Sequence, residues 1–99
     1  MGRLMIGTLA QVELDDETLH HVFTVIVTKL RRREPVLLNW TDPNGMPEYM
    51  LVNPTTEVTA TYDDQELGEL DPHRLQHLMV AANSNAGLCL DRAAEHEVR

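Results

Sequence analysis

The stretch Asp15–Pro35, DDETLHHVFTVIVTKLRRREP, decides the fold because it can be read in two ways. Its centre, Thr24-Val25-Ile26-Val27-Thr28, is a β-branched run whose local preference is for a strand. The wider pattern says helix, since Leu19, Val22, Phe23, Ile26 and Leu30 recur at spacings that place them on one helical face. Asp15 and Asp16 offer an N-cap and negative charge at the positive end of a helix dipole, and Pro35 disfavours helical geometry at Glu34. Burial of a wide apolar stripe overrides a weak residue preference. The segment is therefore expected to be a helix over residues 16 to 33.

Short strands surround this helix. Met1 to Leu14 reads as two of them with Gly7-Thr8 between, and Val12, Glu13 and Leu14 alternate in the second. Downstream, Val36 to Thr41, Glu48 to Val52 and Glu57 to Tyr62 alternate apolar and polar residues. Asp42-Pro43-Asn44-Gly45 and Asn53-Pro54-Thr55 carry turn chemistry between them, which predicts an antiparallel meander. Asp71 caps a second helix with Pro72 in its first turn, and Leu75, Leu78, Met79 and Ala82 form its apolar face. Gly87 suits the left-handed end of that helix, and Leu88 to Asp91 reads as a last strand. The expected class is α+β: a largely antiparallel sheet of about six short strands with two helices packed on one face. A single domain over residues 1–91 and a frayed tail over 92–99 complete this reading.

Composition narrows the classes of function. The sequence is that of a globular chain with a net charge of −8 and one cysteine, Cys89, so no intrachain disulfide can form and a cytoplasmic setting is the simplest expectation. No secretory leader or membrane-spanning run is recognisable. Charge is segregated: Lys29, Arg31, Arg32 and Arg33 are four of the eight basic residues, whereas no Lys or Arg occurs between Glu34 and Pro72. Nucleic acid would be repelled by most of this surface, and any such contact would be local to the KLRRR segment.

Two segments, LDDETLHHVFTVIVTKLRRREPVLLNW and LMVAANSNAGLCL, resemble a family of actinobacterial and phage proteins of about this length and of unknown function. In that family an aspartate-capped helix ends in K-L-R-R-G-E, a strand closes with Ser-Trp, and A-N-S-x-x-G-L follows downstream. The similarity covers residues 1 to 91. Arg33 stands here where the pattern has Gly, and the aromatic residues of the middle strands are reduced to Tyr49 and Tyr62. The resemblance implies a shared fold and brings with it the label "ATP-dependent DNA ligase". A covalent nucleotidyltransferase needs a lysine nucleophile followed by Asp-Gly. The single lysine, Lys29, is followed by Leu30 and Arg31, so ligase chemistry is not expected.

Candidate sites are few. Lys29, Arg31, Arg32 and Arg33 are candidates for contact with a partner or with nucleic acid, although three consecutive arginines fan out around a helix rather than sharing a stripe. Trp40, Asn83, Ser84 and Asn85 are candidate interaction residues, with core packing and helix-end chemistry as the plainer roles. His73 and His77 have metal-ligand spacing but lack the H-E-x-x-H pattern and lie opposite the apolar face, and His20-His21 are expected in solvent. The acidic residues from Asp63 to Asp71 lack the ligand spacing of a calcium loop. No catalytic residue, metal or cofactor is assigned. The expected function is a small non-catalytic protein-interaction module, homodimeric, whose sheet face or helix ends dock onto a second copy or another protein; the basic helix end meeting the acidic region of a second copy is one such contact. The alternatives are a nucleic-acid accessory protein and an acidic mimic of DNA.

Overall fold

The structure, a computed structural model, describes residues 1–94. Strands β1 (Gly2–Ile6) and β2 (Ala10–Leu14) form a hairpin that turns at Gly7, and helix α1 (Asp16–Arg31) follows at once. The Asp15 carboxylate accepts from the Thr18 amide at 3.1 Å, capping the helix as the sequence indicates. The β-branched run is helical. Thr24 and Thr28 each donate their hydroxyl to the carbonyl one turn back at 2.8 Å, which satisfies the polar side chains within the helix itself.

The helix ends at Arg31 rather than Arg33. Glu34 N–H donates to the Lys29 carbonyl and Arg33 N–H to the Leu30 carbonyl, both at 3.0 Å, and Arg33 sits at φ 63°. This paired bonding around one left-handed residue is a Schellman ending, and it stops the helix before Pro35 is reached.

Strands β3 (Val36–Thr41) and β4 (Pro47–Val52) pair antiparallel across a turn in which Asp42 accepts from the amides of Asn44 and Met46. The meander then breaks. Strand β5 (Val58–Thr61) pairs with β1 instead of β4, so the six strands divide into two sheets, ordered β2-β1-β5 and β4-β3-β6. Val58 and Ala60 stand opposite Ile6 and Leu4 in this register, so their apolar face meets apolar partners on β1.

Helix α2 (Pro72–Ala82) leads to β6 (Leu88–Cys89), which pairs parallel with β3. Gly87 precedes it at φ 83°, where an added Cβ would lie 2.6 Å from the Leu37 carbonyl oxygen, so backbone angle and space both select glycine. The chain does not continue as a strand to Asp91. It forms one helical turn, α3 (Leu90–Ala93), which buries Leu90 and Ala93 together. Of the expected tail, Arg92 and Ala93 thus belong to α3, and residues 95–99 lie outside the described residues.

The core is formed by Leu19, Val22, Val25 and Ile26 of α1 with Leu4 and Ile6 of β1, Val36 and Leu38 of β3, and Leu88 and Leu90. Helix α1 packs against both β1 and β3 and also against α2. The fold is therefore α+β, as expected, with α1 as the element shared by the two sheets. Phe23 and Leu30, expected fully on the buried face, are half-buried at its edge, while Val25 and His21 take the inner positions.

Candidate functional site

The basic segment at the end of α1 divides into one inward and three outward side chains. Lys29 is only 7% exposed. Its Nζ donates to Asn83 Oδ1 at 2.6 Å and pairs with Glu34 at 3.0 Å, so it joins the ends of α1 and α2. The candidate cluster thus loses Lys29, because a helix places residue 29 on the stripe continuing Val22, Val25 and Ile26. Arg31, Arg32 and Arg33 are exposed, with no ion pair among the described residues. Beside Arg31 a shallow depression of about 250 Å³ is lined by Phe23, Val27 and Leu30 from α1 and by Pro54 and Val58.

The other end of the same helix is acidic. A groove of about 880 Å³ is lined by Glu13, Asp42, Glu48 and Asp91, with Trp40 among its walls. Its lining comes from β2, the β3–β4 hairpin and the α3 region rather than from α1 itself, and Glu13 and Leu14 lead directly into the Asp15 cap of the helix. At 1.5 Å per residue the helix holds the two ends about 24 Å apart, in a molecule whose longest extent is 32 Å. Asp42 and Glu48 fall in the acidic region noted in the sequence. Glu13 and Asp91 were not legible there, because they reach the groove from other elements.

The remaining candidates are structural in their contacts. Trp40 is 8% exposed and turns toward the core alongside Val36 and Leu38. Asn83 holds Lys29, and Ser84 Oγ donates to the Ala81 carbonyl at 2.7 Å, both within the end of α2. Asn85 is exposed. His73 and His77 are exposed, and among the described residues no group of three or more His, Cys, Asp or Glu side chains is arranged to hold a metal ion.

Two buried polar side chains escaped the sequence reading. His21, expected in solvent with its neighbour, is fully buried. Its Nε2 accepts from the Asp71 amide at 2.9 Å, and its Nδ1 lies 2.8 Å from the Glu17 carbonyl, an arrangement that calls for the proton on Nδ1. It ties the cap of α2 to α1. Arg74, on α2, is 4% exposed, and its Nη2 donates to Thr18 Oγ1 at 2.8 Å and to the Ala93 carbonyl at 2.7 Å. The signal for both was spacing: His21 precedes Val25 by four residues, and Arg74 precedes Leu78 by four.

The electrostatics near the α1 cap follow from these contacts. Burial acts to raise the Asp15 carboxyl, but hydrogen bonding from Thr18 and the Arg74 charge outweigh it and hold the group below the ordinary carboxylate range. Burial, aided by the Asp16 charge, pushes the Tyr62 hydroxyl above its ordinary value. Asp16 also accepts from the amides of Asp63 and Asp64, fastening the acidic loop to the start of the helix.

The architecture is thus a two-sheet α+β domain organised on one helix with oppositely charged ends. The chain belongs to the family described as Domain of unknown function (DUF7882), whose match spans residues 1–93. No curated protein and no solved structure matches the chain.

Proposed function

We propose that this chain is a small non-catalytic interaction module that pairs with a second copy of itself. The observation that carries the reading is the charge division of the molecule: Arg31, Arg32 and Arg33 at one end of α1, with no ion pair among the described residues, and a groove walled by Glu13, Asp42, Glu48 and Asp91 beyond the cap at its other end. Two copies lying antiparallel bring each basic end to the partner's acidic groove, and twofold symmetry makes the contact twice. The apolar depression beside Arg31 supplies surface that need not remain hydrated, as the centre of an interface requires.

Mass measurement by light scattering or sedimentation, from low to physiological salt, tests the proposal. Dimer is expected at low salt. Arg31→Glu with Arg32→Glu should give monomer, and mixing that variant with Asp42→Lys/Glu48→Lys should restore a heterodimer. A chain that stays monomeric at low salt and high concentration rules the reading out.

The second reading is a nucleic-acid accessory role through the same three arginines, favoured by their exposure without carboxylate partners among the described residues. A mobility shift that weakens steeply with salt would support it, and absence of binding at low salt would end it. The mimicry of DNA by the carboxylate surface is a third reading, supported by the acidic groove and by the net charge of −8. The resemblance of the KLRRR and ANS segments to actinobacterial and phage proteins labelled as DNA ligases does not lead us to propose ligation. Lys29 is held by Asn83 and Glu34, which leaves the one lysine of the chain occupied in the fold. The module is proposed to act inside the cell, in keeping with its lone cysteine. Among the described residues no helix is long and apolar enough to cross a membrane.

A further inference from the structure

We propose that the cleft between α2, β6 and the outer face of β3 and β4 binds a small organic carboxylate, with Arg74 as its buried anchor. The cleft, about 570 Å³, falls within the range of ordinary ligand sites. Strand register builds its floor, since Tyr49, Asn39 and Cys89 form one row across β4, β3 and β6. Helix α2 and the start of α3 supply Arg74, His77 and Arg92, while Leu78 and Ala81 make an apolar wall.

Two independent features point to an anion. Among the described residues no Asp or Glu lines this cleft, whereas two arginines and a histidine do. Arg74 is also a buried cation whose hydrogen bonding is incomplete: Nη2 is fixed by Thr18 and Ala93, but Nε and Nη1 are buried without a hydrogen-bond partner among the described residues. The Glu17 carboxylate lies 3.7 Å from Nη1, too far for a hydrogen bond, and is itself largely exposed. A guanidinium desolvated to this degree attracts a counter-ion strongly. The exposed Tyr49 and the apolar wall fit the body of an organic acid rather than a bare inorganic ion. The cleft shares no lining residue with the acidic groove or with the depression beside Arg31, so it is tested apart from the proposed self-association.

Phenylacetate, inorganic phosphate and chloride, titrated into the full chain at constant ionic strength and followed by amide NMR shifts, test the site. Saturable shifts of Leu88 and Cys89 with phenylacetate, weaker with phosphate and absent with chloride, are the expected result. Arg92→Gln, an exposed position expected to leave the fold intact, should weaken binding by about tenfold, the worth of one charge-assisted bond. Glu17→Gln, which removes the carboxylate competing for Nη1, should tighten it. No saturation with phenylacetate, or equal binding by the wild type and Arg92→Gln, overturns the proposal, as does phosphate binding more tightly than phenylacetate.

Discussion

Two sets of cations in this molecule share a chemistry and differ in everything else. Lys29 and Arg74 are buried, each hydrogen-bonded to a side chain more than fifty positions away, and together they hold the two long helices to each other. Arg31, Arg32 and Arg33 stand in solvent at the end of the same helix that carries Lys29. The difference shows that the most visible feature of a sequence, a run of positive charge, is not one surface. Its first member belongs to the architecture, and the three arginines are exposed, with no ion pair among the described residues. The residues quoted for the resemblance divide in the same way, since the lysine of KLRRR and the asparagine of ANS meet in a single contact of 2.6 Å.

The contrast is broken most directly at Arg74. Arg74→Ala removes two charge-assisted hydrogen bonds and leaves the Thr18 hydroxyl and the Ala93 carbonyl without partners, so urea denaturation should show a loss of about 2–4 kcal/mol. Arg74→Met loses the same two bonds but keeps the length of the side chain and removes the desolvated charge, so it should cost about 1–2 kcal/mol less than alanine. Equal losses in the two variants would mean that bonding, absent from both, rather than the packing that methionine keeps, is what Arg74 contributes. Next in size is the joint between helices. A double-mutant cycle with Lys29→Met and Asn83→Ala should give a coupling energy of about 1–2 kcal/mol, whereas the same cycle on exposed Arg32 and Asn83 should give about zero. Coupling of similar size in both cycles would erase the division between inward and outward cations.

Much of this arrangement was legible in the sequence, for identifiable reasons. Helix α1 was legible because its apolar residues repeat at helical spacing and Asp15 caps it, so the β-branched run misled only on a residue-by-residue view. Strand β3 was legible to its ends because Pro35 and the Asp42–Gly45 turn bound it. The partner of β5 was not: alternation in Val58 and Ala60 says which face is buried but not which distant strand lies alongside, and the edge of β1 competed with the edge of β4. Arg74 and His21 were missed because polar residues are ordinarily exposed, even though their spacing put them on buried stripes. The acidic groove was only half legible, because Glu13 and Asp91 come to it from β2 and α3.

The smallest expected effect lies where the two sets of cations part, at Arg33. Its backbone occupies φ 63°, the left-handed region in which a side chain is crowded and glycine is not. The two hydrogen bonds that define the helix ending are made by the backbone of Arg33 and Glu34, so they survive removal of the side chain. Arg33→Gly relieves the conformational strain of the left-handed residue, and the greater freedom glycine brings to the unfolded chain offsets part of that gain. The net is a stabilisation of roughly 0.5–1 kcal/mol, read as a higher denaturation midpoint with an unchanged slope. Arg33→Ala keeps the crowded Cβ and loses the same charge, so it separates backbone from electrostatics: no gain is expected from it. If alanine stabilises as much as glycine, repulsion among the three arginines is the cause, and the outward cluster carries a strain of its own that a bound anion or an acidic partner would relieve.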